Sequence, residues 1–450
     1  MEWQNWAGNI RFNPNEMARP SNTQDVVDLV KTGRKIRCIG TGHSWSKLAP
    51  TDDILMSTDG LNKVLSIDKE KNQATIQAGA KLEDLNIELW DEGFAFGNLG
   101  SIARQSLAGA VSTATHGTGL NFQILGSMVE SFILVKANGE VIEVDKAKDS
   151  ELFKIALISL GSLGIITEMT FNIVPKFQLH EQSGLMDFEE VCDNILEWLK
   201  EENHIKMWWF AHTDKMMVYR YNRTQELRND TWFRQKFMDE WVSVYFYRLL
   251  LWWSNRKPTR RKWMNRQIVN GLLPDVNRIE RSYKVFNVPE PPIHRETEWA
   301  FDINLTPTLL REYKQMVEEK GHLINFIQEI RFVKGDDFAL SPCYGRDSVY
   351  VGAYNADNDD WERLLSDFEE LLGTHPFFPI LWNRNRNILS IIECYDNIIA
   401  FGCWTFAFLV GFGNKAFQDY AFHSYFPCAH VHFHLVAKEN GLQIINGNMR

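Results

Sequence analysis

Apolar residues along the first 175 positions fall into short runs that switch between two periods. Thr23 to Val30, T-Q-D-V-V-D-L-V, spaces them as one face of a short amphipathic helix, and the Ala18-Arg19-Pro20-Ser21 stretch before it predicts an N-cap. Strand-length runs recur at Ile36 to Ile39, Ile54 to Ser57, Val64 to Ile67, Ala74 to Ala78, Phe132 to Lys136 and Val141 to Val144. Leu82 to Leu89 reads as a second short helix. Strands interleaved with helices predict an α/β or α+β domain. From about Lys176 the rhythm changes. Asp187 to Lys200 has helical spacing, Lys206 to Tyr221 reads as two strands around a turn at Thr213-Asp214, Glu296 opens a strand, and Leu309 to Lys320 a helix. In N-F-I-Q-E-I-R-F-V, from Asn325, alternation puts Gln328, Ile330 and Phe332 on one strand face and Glu329, Arg331 and Val333 on the other.

Three glycine-rich breaks interrupt this pattern. The first, Gly40-Thr41-Gly42, ends a strand and is followed at once by His43 and Ser44. Two glycines so close let the backbone take positive φ and turn consecutive amides toward one point, which suits an anion such as a pyrophosphate. An imidazole on that turn can move a proton, bind a metal or act as a nucleophile; the plain alternative is a solvated histidine on a turn. The second break, Gly97 to Gly119, is dominated by Gly, Ala, Ser and Thr and ends in T-H-G-T-G. Small side chains admit close approach of a ligand, although a small-residue helix packed on a sheet would read the same way. The third, Ser159 to Thr167, turns into a strand.

Composition narrows the partners. The 450 residues carry a net charge of -10, so nucleic acid is not the expected partner. Sixteen tryptophans fit large cores, a flat aromatic ligand or a membrane interface. The six cysteines form no C-x-x-C pair, which points to a reducing compartment and to no metal site. The N-terminus has no signal-peptide pattern, so secretion is not expected. The G-x-G-x-x-G fingerprint of a Rossmann fold is absent after the first strand.

In this order, R-C-I-G-T-G-H-S, S-L-A-G-A-V-S-T-A-T-H-G-T-G and S-L-G-I-I-T-E resemble the FAD-binding domain of the vanillyl-alcohol-oxidase superfamily, most closely its sugar-lactone and alditol oxidases. The resemblance extends over about residues 5 to 374 and takes in W-W-F-x-H-T-D and E-x-R followed by G-D-D and L-S-P-x-Y-G-R-D-S. It implies an α+β protein: a two-subdomain FAD-binding domain over residues 1–176, a substrate (cap) domain over 177–374 and a divergent tail over 375–450. It also implies FAD, covalently linked through His43, with Gly40, Thr41, Gly42, Ser44, Ser106, Gly109, Ala110, Ala114, His116, Gly117, Thr118, Gly119 and Ile165 as further cofactor-binding positions. Glu329, Arg331 and Ser106 would carry catalysis. The implied reaction is oxidation of L-gulono- or D-arabinono-1,4-lactone, as in ascorbate-type biosynthesis, by hydride transfer to flavin and reoxidation by O₂ to H₂O₂. An alditol oxidase, a lactone dehydrogenase with a protein electron acceptor, and an FAD-binding pseudoenzyme are the alternatives.

Two features depart from a plain reading. Trp241 to Trp253 is apolar but only 13 residues long, too short to span a bilayer, and Arg256, Lys257, Arg260, Arg261 and Lys262 follow it. Aromatics beside basic residues suit a helix lying on an anionic membrane, so 241–266 is a candidate peripheral membrane contact; a buried helix with a solvated basic end reads equally well. The resemblance implies association with membranes of the endoplasmic-reticulum type, with a cytoplasmic location as the other reading. Family members carry R-P-H-W-G/A-K, whose lysine faces the substrate; here Thr374 to Ile380 reads T-H-P-F-F-P-I, with Ile380 at the lysine. In the tail, Cys428, His430, His432 and His434 alternate along one strand face without making a convincing metal site.

Overall fold

The protein is described from a computed structural model covering residues 2–230, 241–242, 244–356, 360–373, 375, 377–379, 435–438 and 441–444. These residues divide into two compact units, 1–384 and 385–450. The described part of the second is an antiparallel hairpin, Leu435–Lys438 with Gly441–Ile444. The expectations for Ile380 and the Cys428 to His434 alternation lie outside the described residues.

The first unit begins with a three-stranded parallel sheet in the order Glu16–Ala18, Ile54–Ser57, Ile36–Ile39. Helix Thr23–Val30 covers it, burying Val26, Val27 and Val30. The cap is one residue later than the sequence predicts. Asn22 accepts from the Asp25 amide at 2.9 Å, and Asp25 in return accepts from the Ser21 amide at 2.8 Å. A five-stranded antiparallel sheet follows, ordered Val141–Asp145, Val129–Val135, Ile165–Asn172, Gln73–Gln77, Val64–Asp68. Every strand and helix expected in this stretch is present within a few residues.

The later part is built on one eight-stranded sheet, ordered Val276–Arg281, Gln178–Asp187, Lys215–Thr224, His204–Phe210, Ile327–Val333, Ser348–Ala356, His294–Asp302, Phe377–Pro379. Helices Phe188–Glu201, Thr306–Glu319 and Trp361–Leu372 cover one face, packing Val191, Ile195, Leu310, Tyr313, Leu365 and Phe368 against Met207, Trp209, Ile330 and Phe332. Period-two alternation therefore sends the intervening residues, Lys206, Trp208, Glu329 and Arg331, to the other face. That face meets the first part of the chain. Thr118 Oγ1 donates to Ile205 O, and the Gly119 amide donates to Phe332 O at 2.7 Å. The sheet thus has a dry side, which fixes its register, and a side that closes over a cavity.

Candidate functional site

The strand Ile36–Ile39 delivers the first glycine turn to the cavity edge. Gly42 lies at φ +72°, a conformation that disfavours any side chain. The amides of Thr41, Gly42 and His43 donate to no protein acceptor among the described residues, so three donors stand open on one turn. The loop is held by its carbonyls instead: Gly42 O accepts from the Trp6 amide at 2.9 Å, and Ser44 O from Asn5 Nδ2 at 2.9 Å. The His43 ring stacks on Trp6, with centroids 5.4 Å apart. Burial pushes its pKa down, with Glu290 opposing and Arg104 adding to the shift, which favours the neutral imidazole, the form with a free lone pair.

A cavity of about 380 Å³ separates this loop from the large sheet. His43, Ser101, Gln105, Ala114, Thr115 and His116 line one wall; Lys206, Trp208, Glu296, Glu298, Glu329 and Arg331 line the other. Ala114 adopts a left-handed φ of +56° after helix Leu107–Ser112, which turns Thr115 and His116 toward the cavity.

Charge is concentrated where the two walls meet. Arg331 donates through Nη2 to Glu329 Oε2 and to Ser101 Oγ at 3.0 Å, and through Nη1 to His116 O at 3.4 Å. Glu329 also accepts from Trp208 Nε1 at 2.9 Å, with Lys206 Nζ 3.9 Å away. Burial by itself would raise the Glu329 carboxyl, but Arg331, Lys206 and the Trp208 hydrogen bond outweigh it and hold it well below the usual carboxylate range. Burial likewise opposes charge on Arg331, while Glu329 and Glu298 raise its pKa on balance. His116 donates through Nδ1 to Gly117 O at 2.9 Å, leaving Nε2 facing Glu298 Oε2 at 3.5 Å.

The expected residues separate into groups. Glu329, Arg331, His43, Ala114 and His116 come together around the cavity. Gly40, Thr41, Gly42 and Ser44 form the loop beneath it. Ser106 is not among the residues that line the cavity with Glu329 and Arg331; it packs on the glycine turn, where a Cβ on Gly40 would sit 1.8 Å from its Oγ, and one on Gly109 2.8 Å away. Ala110 is buried in the helix that Ser106 begins. Gly117 has no room for a side chain beside Asn98, at 2.3 Å. Thr118 and Gly119 are committed to the bonds that join the two parts of the chain. Ile165 packs against Val26, Val27 and Met56, in the small core behind the parallel sheet. Sequence reading gave no role to Lys206, Ser101, Glu296 or Glu298, and took in Trp208 only as the start of W-W-F-x-H-T-D. For Lys206, Glu296 and Glu298 the signal was alternation: K-x-W at Lys206 and E-x-E at Glu296 place like-facing residues on strands.

The cavity fits the cofactor that the sequence implies. Three open amides on the Gly42 turn suit a pyrophosphate. Arg331 Nε and Glu298 Oε1, both buried, have no hydrogen-bond partner among the described residues, so a group with acceptors and donors is missing beside them.

The chain matches the D-arabinono-1,4-lactone oxidase family over residues 169–378 and the FAD-binding domain family over residues 14–145. It is 32% identical to L-gulonolactone oxidase of Mus musculus over 357 residues, 78% of this chain and 81% of that protein. It is 29% identical to L-gulono-1,4-lactone dehydrogenase of Mycobacterium tuberculosis over 395 residues, 87% of this chain and 91% of that protein. In fold it is similar to cholesterol oxidase from B. sterolicum, with a TM-score of 0.69 and 18% identity over 83% of this chain and 82% of that one. The order of glycine turns, the FAD-binding domain and the length of the match together make this chain a member of the FAD-dependent sugar-lactone oxidase family.

Proposed function

We propose that this protein oxidises a sugar-1,4-lactone, L-gulono- or D-arabinono-1,4-lactone, using FAD attached through His43 and O₂ as acceptor. The Glu329–Arg331 pair, facing His43 and His116 across one cavity, carries the reading. Bound FAD supplies two-electron acceptance from a C–H bond that bears a hydroxyl. Arg331 supplies fixed positive charge where negative charge builds up. Glu329, held ionised, orients Arg331 and can accept from a substrate hydroxyl. His116 Nε2, on the side of the ring that faces Glu298, is the nitrogen left to take the hydroxyl proton. Facing charges of both signs, Lys206 and Arg331 against Glu298 and Glu329, favour a neutral, hydroxylated substrate over an anion. Thr41 to His43 would hold the pyrophosphate, and Ser106 would act through the Gly40 turn.

We also put the domain boundary at 176/177, because Val174–Pro175 pairs with Phe94–Ala95 of the first part while Gln178 opens the large sheet. The substrate domain then runs to 374.

A denaturing gel viewed under ultraviolet after acid treatment tests the link. Wild type is expected to show flavin fluorescence on the protein band, and His43→Ala to lose it. A dark wild-type band from yellow holoprotein rejects covalent attachment. Anaerobic bleaching of the flavin by each lactone tests the substrate, and rates with O₂ against cytochrome c separate an oxidase from a dehydrogenase.

The 241–266 segment is proposed as a peripheral membrane contact. Trp241, Tyr245, Leu249 and Trp252, spaced by four, four and three residues, are each 53–61% exposed, which makes one outward helical stripe. Trp263, on the adjoining helix Arg260–Gln267, is 53% exposed, and Arg256 lies over Trp252 at 3.7 Å. No helix among the described residues is long and apolar enough to cross a membrane. The protein is expected to sediment with anionic vesicles at low salt, and the paired variant Trp241→Ala, Trp252→Ala to stay in the supernatant; equal sedimentation of both rejects the contact.

A further inference from the structure

Lys206 is a buried cation with little to hold it. Its side chain is 4% exposed, it lines the cavity, and its nearest carboxylate oxygen, Glu329 Oε1, is 3.9 Å away, beyond hydrogen-bond reach. Its ammonium makes no hydrogen bond among the described residues. Three aromatic rings surround the ammonium instead: Trp208 at 4.9 Å, Tyr219 at 5.1 Å and Tyr221 at 5.9 Å from Nζ to ring centre. Ring faces stabilise a desolvated cation but use none of its three N–H donors in a directed bond. Leaving such donors unmet in a buried site is costly. Arg331, its neighbour, has committed Nη1 and Nη2 to Glu329, Ser101 and His116, so Lys206 is the less committed donor.

We propose that Lys206 is a substrate-binding residue that donates to the carbonyl oxygen of the lactone, with the Trp208 and Tyr219 rings against the sugar, and that it thereby sets a preference for lactones over open-chain alditols. This rests on the lactone reading above. A lactone carbonyl is a stronger acceptor than a hydroxyl and is absent from an alditol. Lys206 would also supply a cation in a chain whose sequence has isoleucine, at position 380, where the family's substrate-facing lysine is expected.

The pH dependence is part of the assignment. Burial pushes the Lys206 amine down to about 8, with Glu329 opposing that shift and Arg331 adding to it. Glu181 and Arg278, two and three strands away in the same sheet, also act on it, Glu181 raising and Arg278 lowering it. Glu329 lies far below this range and Tyr221 is raised well above its ordinary value, so neither titrates near pH 8. Lactone binding should therefore weaken as pH rises through about 8.

The test uses FAD-loaded wild type, Lys206→Met and Lys206→Arg. Flavin absorbance and melting temperature are measured first. Rapid anaerobic mixing then gives the lactone dissociation constant and the limiting rate of flavin bleaching, and competition against the lactone gives the inhibition constant of the matching alditol. Lys206→Met is expected to keep its flavin and weaken lactone binding roughly 10- to 100-fold, the range for losing a hydrogen bond to a charged group. Its limiting rate should change far less, and alditol binding should be unaltered. Lys206→Arg should retain lactone binding and lose the pH 8 limb. Unchanged lactone binding in Lys206→Met, or equal weakening for lactone and alditol, overturns the assignment. If Lys206→Met cannot be purified, a limb near pH 8 that persists in Lys206→Arg overturns it. A wild-type flavin that no lactone bleaches rejects the lactone reading itself, and the Lys206 assignment with it.

Discussion

Arg331→Met is expected to slow lactone-driven reduction of the bound flavin roughly 10²- to 10³-fold, the usual consequence of removing one preorganised group that stabilises charge. The guanidinium is only 13% exposed and contacts both parts of the chain, through Ser101 and His116 as well as Glu329. Its loss does more than remove a positive charge. It strands the Glu329 carboxylate with Trp208 and a lysine 3.9 Å away, and breaking a buried pair costs about 3–5 kcal/mol. The pH dependence follows from the sign of the shift. In the wild type the Glu329 carboxyl is held below its ordinary value, so its stabilisation is present above about pH 4.3 and is lost as pH falls through the lowered folded value. In the variant burial acts with less opposition, the carboxyl rises, and the melting-temperature deficit should be larger at pH 7 than at pH 4.5. Arg331→Lys restores charge but not the fork that reaches Ser101 and His116, so it should recover stability more than rate. Stopped-flow bleaching and thermal melts at the two pH values check both. A variant that bleaches at the wild-type rate would remove Arg331 from the chemistry.

Gly119→Ala is expected to cost about 3 kcal/mol or more and to release flavin from the folded fraction on mild heating. Gly119 sits at φ +118°, where an L residue is strained, and a Cβ there would lie 2.3 Å from the Asn203 carbonyl oxygen. That neighbour is backbone and cannot rotate away. The Gly119 amide also holds the large sheet at Phe332 O, so relief of the clash must loosen the junction that closes the cavity. Gly161→Ala is the control. It has φ +77° but nothing nearer than 3.8 Å, so only the backbone term of about 1–2 kcal/mol applies. Calorimetry of the two holoproteins should rank them in that order; equal melting temperatures would contradict the account of the junction.

Much of this architecture was legible along the chain because one buried face writes a period into the sequence. Val26, Val27 and Val30 define a helix, and Ile330 and Phe332 against Glu329 and Arg331 define a strand with two unlike sides. The glycine turn at Gly42 was legible for a similar reason, since positive φ there limits residue choice. The sequence was silent where function comes from alternation alone. Lys206 lies in a strand whose other residues read as core, and nothing local distinguishes a lysine at a sheet edge from one caged by Trp208, Tyr219 and Tyr221. Glu298 reads as an ordinary strand carboxylate until His116, 182 positions earlier, is brought to 3.5 Å. Ser106, read from its place in S-L-A-G as a polar group near flavin or substrate, begins a short helix that packs it against Gly40.

Sequence by itself determined the elements, the sided strand that carries Glu329 and Arg331, and the turn that opens three amides, since each depends on neighbours within a few residues. Which groups share the cavity was decided only by tertiary structure. His43, His116, Lys206, Glu298 and Arg331 come from five separate segments. Their burial, and with it the shifts of His43, Lys206 and Arg331, exists only once the Thr118–Ile205 and Gly119–Phe332 bonds have closed the large sheet over the glycine turns.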